Sequence, residues 1–112
     1  MAKKLFKNYT FEFDKNERKV LSTFCKQALS QMAGDDRFFR EVRVFNSLLD
    51  KLNSGDDEIK LTKEEATKLS MQLRENLKHI EKEMNNSWFI KKWLMRSVYK
   101  QYQSIIANHF SD

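Results

Sequence analysis

The chain reads as an all-α fold: four helices, bundle-like and in one domain, with a short two-stranded β element ahead of the first and third helices. Three observations carry that reading. The 112 residues hold no proline and two glycines, so little interrupts long helices. Four stretches place apolar residues at three-to-four spacing, as one buried helix face requires. Two of those stretches open alike, with a cap residue followed three positions later by Glu, which is the pattern of a capping box.

The first helix is expected over residues 14–33. Asp14 is its N-cap and Glu17 the capping-box partner. Val20, Leu21, Phe24, Cys25, Ala28, Leu29 and Met32 form its apolar stripe, and Gly34 suits the residue just past the end. The aspartates of "GDDRFF" offer a cap for a second helix over residues 36–53, with Phe38, Phe39, Val42, Phe45, Leu48, Leu49 and Leu52 as its stripe. "NSGDDE" is the strongest break in the chain, with Asn53 and Gly55 ending that helix. The third helix begins at Thr62, with Glu65 closing a second capping box. It buries Ala66, Leu69, Leu73, Leu77, Ile80 and Met84. "MNNS" interrupts it, and Asn86 or Ser87 caps a fourth helix that runs to about His109. Trp88, Ile90, Trp93, Leu94, Val98, Tyr102, Ile105 and Ile106 are its apolar residues.

Each half therefore reads as an extended segment followed by two helices. "FEFDKNE" and "IKLTKEE" align, and beyond them Lys15/Lys63, Glu17/Glu65, Leu21/Leu69, Ser22/Ser70 and Leu29/Leu77 coincide. A register chosen by its caps does not establish duplication. The physical content is narrower. Phe11/Phe13 and Ile59/Leu61 alternate at period two, as half-buried strands do. They either pair into a ribbon supported by helices or act as two hydrophobic staples.

Charge is unevenly placed. The net charge is +5, yet residues 14–85 balance 14 basic against 14 acidic side chains. The excess lies at the ends: Lys3, Lys4 and Lys7 in a tail at residues 1–8 expected to be flexible, and Lys91, Lys92, Arg96 and Lys100 near the other terminus. Should the ends meet, they form a basic patch for nucleic acid, an anionic membrane surface or an acidic protein. A single cysteine excludes an intrachain disulfide and a cysteine zinc cluster. No window resembles a membrane span or the apolar core of a signal peptide, so a cytoplasmic protein is expected.

Signals for chemistry are sparse. Cys25 lies on an apolar stripe, where a thiol is an inert small hydrophobe. "DDE" at residues 56–58 lacks the alternating oxygen ligands and glycine of a calcium loop. The two histidines lie thirty residues apart, a spacing that makes a weak metal site. No glycine-rich phosphate loop occurs. No cofactor, metal or catalytic residue is expected. In "RENLKH", Arg74 precedes His79 by five positions, which resembles the R-x4-H spacing of the HEPN ribonucleases. That resemblance implies a compact helical bundle in which Arg74 and His79 act at an RNA phosphate, usually across a dimer. The residue after the arginine is Glu75, where that family more usually has a small polar residue. Within one helix the two side chains point about 140° apart.

Binding features are clearer. Arg37, Arg40 and Arg43 make a slanting ridge at the start of helix 2, explained equally by local pairing with Asp36 and Glu41. In "SWFIKKWLMRSVYKQYQSII", Lys92, Arg96 and Lys100 line one side, Trp93, Ile90, Leu94, Val98 and Ile105 another, with Phe89, Met95 and Tyr99 between. The apolar arc is wider than one core-facing stripe needs. A central bundle helix, a protein interface and an anion- or membrane-binding surface all fit it. The preferred expectation is a non-enzymatic binding or regulatory module acting through protein contacts or self-association, with Trp88, Phe89, Lys92, Trp93, Arg96, Tyr99 and Lys100 as its contact surface. The alternative is nucleic-acid binding through Arg37, Arg40, Arg43, Lys91, Lys92 and Arg96.

Overall fold

The computed structural model describes residues 9–84 and 89–110, with the backbone alone at 9 and 89–92. The basic tail, the break and cap expected at Asn85, Asn86 and Ser87, and Trp88 lie outside the described residues. Among those described, four α-helices and one antiparallel strand pair make an all-α protein: β1 (Tyr9–Phe11), α1 (Lys15–Met32), α2 (Phe39–Leu52), β2 (Ile59–Leu61), α3 (Lys63–Met84) and α4 (Phe89–Ile105). A 3-10 turn at Asp36–Phe38 leads into α2, and a π-helical turn at Ile106–Phe110 follows α4. The chain divides into two compact units, Met1–Leu69 and Ser70–Asp112, with the boundary inside α3.

In the first unit the strand pair forms, with Tyr9 opposite Leu61, Thr10 opposite Lys60 and Phe11 opposite Ile59. Period-two alternation puts Phe11, Ile59 and Leu61 on the buried face. Phe13 lies on the same side, its ring stacked on Phe11 at 5.3 Å between centroids. Both capping boxes close. Asp14 accepts from the Glu17 N–H at 2.7 Å, and Glu17 accepts from the Asp14 N–H at 2.9 Å. Thr62 accepts from the Glu65 N–H at 3.1 Å, and Glu65 accepts from the Thr62 N–H at 2.9 Å. Each box thus fixes where a strand-like segment turns into a helix. Gly34, at φ +81°, takes the left-handed conformation that stops α1, and Gly55 does so after α2. Arg18 reaches across to the Asp56 and Asp57 carbonyls, tying α1 to the segment before β2.

The core of this unit comes from α1 (Leu21, Phe24, Cys25), α2 (Val44, Phe45, Leu48, Leu52), the strands and the first turns of α3 (Ala66, Leu69). Phe24 and Phe45 meet edge to face at 6.4 Å. The stripe expected for α2 needs correcting. Phe39 is 66% exposed and Phe38 36%, while Val44 takes a core place. Six residues of α-helix turn through about 240° beyond a full circle, so Phe39 stands away from the face that Phe45 buries.

In the second unit, Leu73 of α3 and Tyr102 and Ile105 of α4 are buried, and Leu77, Ile80 and Met84 are half-buried. The Arg74 guanidinium donates to the Phe110 carbonyl at 2.9 Å, joining α3 to the last turn. Among the described residues no helix is long and apolar enough to cross a membrane.

Candidate functional site

The most distinctive surface is the outward side of α4. Its inward residues, Met95, Tyr99, Tyr102 and Ile105, are half-buried or buried. At about 100° per residue they occupy one third of the circumference. Three further apolar residues of the helix are exposed: Trp93, expected from sequence as a contact residue, at 68%, Leu94 at 55% and Val98 at 38%. By the same spacing Val98 falls between Ile105 and Tyr102, and Leu94 just beyond Ile105, so these two are exposed along the edge of the buried face. Trp93 stands about 100° from Leu94, with Ser97 and Gln101 between them, all exposed.

Arg96 and Lys100 lie on the same side as Trp93, both exposed, and neither has a carboxylate at ion-pair distance among the described residues. Between Phe89 and Ile105 the sequence has four cationic residues and no carboxylate. The helix therefore holds a positive potential beside the exposed Trp93 ring.

Tyr99 belongs elsewhere. Its hydroxyl donates to Glu81 Oε2 of α3 at 3.0 Å. That bond and the neighbouring carboxylate push the Tyr99 pKa above its ordinary value. The ring lines an open groove of about 480 Å³ formed by Arg74, Leu77, Lys78, Glu81, Gln103, Ile106 and Ala107. Tyr99 and Trp93, six residues apart, do not share a face. Arg74 contributes to this groove and His79 does not, and both are exposed.

A second exposed surface lies at the start of α2. The Arg37 guanidinium lies 5.7 Å from the Phe38 ring centroid, and Arg43 lies 5.8 Å from that of Phe39. Arg37 is also held by Asp35 at 2.7 Å, and this hydrogen-bonded pair lowers the Asp35 pKa and raises that of Arg37. Glu41 pairs with Lys68 at 2.9 Å, and Arg40 of the ridge is a weaker electrostatic neighbour that also helps to hold the Glu41 pKa down. Arg40 and Arg43 are left exposed, without a carboxylate at ion-pair distance among the described residues. The three arginines are thus not equivalent: Arg37 is ion-paired locally, Arg43 lies against the Phe39 ring, and Arg40 has the Glu41 charge nearby.

The polar side chains buried in the first unit have structural work. Glu65, 6% exposed, accepts from Lys51 Nζ at 2.6 Å and Ser47 Oγ at 2.5 Å as well as from the Thr62 N–H. Burial pushes its pKa up, but the hydrogen bonds from Lys51, Ser47 and Thr62 outweigh that and hold the carboxyl below its ordinary value. Burial also raises the Cys25 thiol to about 12, far from a reactive thiolate. Among the described residues no group of three His, Cys, Asp or Glu side chains is placed to hold a metal ion.

Of the contact residues expected from sequence, Trp93, Arg96 and Lys100 are brought together on one exposed surface. Tyr99 turns into the groove, the side chains of Phe89 and Lys92 are not described, and Trp88 lies outside the described residues. Of the side read from sequence as apolar, Ile105 is buried, while Trp93, Leu94 and Val98 are exposed. Comparisons with protein-family models, with curated proteins and with solved structures found no match to this chain.

Proposed function

We propose that this protein is a small, non-enzymatic binding module that engages a protein partner through the outward side of α4. The observation that carries the reading is Trp93, 68% exposed with exposed Arg96 and Lys100 on the same side of a helix whose other side supplies the local core. A tryptophan is a costly residue to leave in water, and interfaces favour it as an anchor. Arg96 and Lys100 form a cationic rim that speeds encounter and fixes orientation.

The test is a photo-crosslinking amino acid placed at position 94 and, as a control, at exposed Thr67 of α3. Position 94 should yield a discrete protein adduct that weakens when Arg96 and Lys100 are both changed to Glu. Equal adducts from both positions would contradict the reading.

A second reading rests on a different surface. Arg40, Arg43, Phe38 and Phe39 combine available guanidinium groups with exposed rings, the pairing by which proteins hold single-stranded nucleic acid. Two phosphate contacts give a modest salt dependence, with log K falling by about 1.4 per decade of salt. Oligonucleotide affinity with that slope, abolished in an Arg40→Ala/Arg43→Ala variant, would favour it. Affinity unchanged in that variant would remove it.

A further inference from the structure

We propose that the groove between α3 and α4 holds a small amphipathic anion, an apolar body bearing a single carboxylate or phosphate. Trp93, Arg96 and Lys100 do not line this groove, so it can be tested apart from the α4 surface proposed above. Helical phase builds its walls. Arg74, Leu77, Lys78 and Glu81 fall within about 100° of arc on α3, and Tyr99, Gln103, Ile106 and Ala107 within about 100° on α4. Two polar links cross from wall to wall. The Tyr99 hydroxyl donates to Glu81 at 3.0 Å, and Arg74 donates to the Phe110 carbonyl at 2.9 Å. The earlier residue of α3 thus meets the later end of α4, and the two helices run antiparallel. From residue 74 to residue 81 the groove extends about 10 Å along the axis. Its volume of about 480 Å³ is that of a small-molecule site.

The chemistry of the walls selects the ligand. Leu77, Tyr99 and Ile106 are half-buried, and with exposed Ala107 they offer an apolar bed. Arg74 and Lys78 stand one helical turn apart on the same wall, both exposed. Arg74 commits one N–H to the Phe110 carbonyl, which anchors the guanidinium, and a guanidinium has further donors for an anion. Lys78 meets Glu75 at 3.8 Å with both side chains largely exposed, an ion pair that contributes little. Glu81 is engaged by the Tyr99 hydroxyl and lies two turns from Arg74. A ligand with one negative charge places it at Arg74 and Lys78 and lays its apolar part over Leu77 and Ile106. A polyanion such as a nucleic acid or an anionic membrane would set further negative charge against Glu81.

The experiment follows the methyl resonances of the full chain while decanoate, decyl phosphate or decanol is added, at low and at high salt. Decanoate or decyl phosphate should shift the methyls of Leu77, Ile106 and Ala107 saturably. The tighter of the two anions identifies the headgroup. It should bind about fivefold tighter than decanol at low salt, the scale of exposed charge pairs, and the preference should shrink at high salt. Arg74→Gln with Lys78→Gln should remove the preference and leave decanol binding unchanged. Lys78→Gln alone, which keeps the Arg74–Phe110 bond, should reduce it. Equal binding of decanol and both anions would overturn the anionic ligand. Shifts centred on other residues, or none at millimolar concentrations, would overturn the site. Lys78-dependent shifts of the same methyls by phosphatidylserine vesicles, by RNA or on self-association, without binding of either anion, would overturn the inference as well. The crosslink at position 94 reads a different surface, so failure here leaves the α4 reading standing.

Discussion

Changing Glu65 to alanine removes three hydrogen bonds at the point where β2, α2 and the start of α3 meet. Oε1 accepts from the Thr62 N–H at 2.9 Å and from Lys51 Nζ at 2.6 Å, and Oε2 accepts from Ser47 Oγ at 2.5 Å. A hydrogen bond to a charged partner contributes about 1.5–3 kcal/mol net, and loss of a capping interaction costs about 1 kcal/mol. The Lys51 side chain is 33% exposed, so its ammonium regains water when the carboxylate goes, and the full 3–5 kcal/mol penalty of an orphaned buried charge does not apply. The expected loss is about 3 kcal/mol, a large part of a typical domain's stability. Glu65→Gln keeps an acceptor for Thr62 and should lose about half as much. Urea denaturation followed by circular dichroism measures both, with an expected fall in midpoint of about 1–2 M for the alanine variant. The pH dependence supplies a check of sign. A carboxyl whose folded pKa lies below its unfolded value of about 4.3 stabilises the fold above that value. The advantage of Glu over Gln should thus be constant near neutrality and disappear as pH falls through the folded pKa. A Glu65→Ala variant within about 0.5 kcal/mol of the parent, or a Glu–Gln difference that grows on acidification, would refute the reasoning.

Other expectations follow from burial. Phe45→Ala should destabilise by about 3–5 kcal/mol, because the ring is 1% exposed and packs on Phe24. Phe39→Ala should stay within about 0.5 kcal/mol of the parent in the same denaturation assay, and a loss comparable to that of Phe45 would contradict its placement. Cys25 should resist a thiol reagent such as Ellman's in the folded protein at pH 8 and react fully in denaturant. Rapid labelling of the native chain would contradict a buried thiol raised to about 12.

What could be read from the sequence was local. Asp14 and Glu17, or Thr62 and Glu65, lie three residues apart, so their capping boxes depend on little beyond the helix start they create. The alternation of Phe11 with Phe13 and Ile59 with Leu61 was enough to propose a ribbon, and the pairing of Phe11 with Ile59 closes it. Phe39 was misplaced because residue type was weighed above helical phase. Counting 100° steps back from Phe45 turns it away from the core. The α4 face was harder. Val98 and Ile105 share nearly one helical phase, and which of them is buried depends on what packs against that turn. The same holds for Tyr99, whose position follows from Glu81 eighteen residues earlier, and for Ser47 and Lys51, which meet Glu65 only through the packing of α2 on the start of α3. These long-range contacts decide which of several plausible surfaces is left open.

The central claim is that the outward side of α4 is a recognition surface, and amide chemical-shift mapping tests it most directly. The labelled protein would be titrated with the partner captured by the crosslink at position 94. Shifts should concentrate at Trp93, Leu94, Arg96, Ser97 and Lys100, including the Trp93 indole N–H. Shifts centred instead on residues 37–43, or none at saturating partner, would contradict the account.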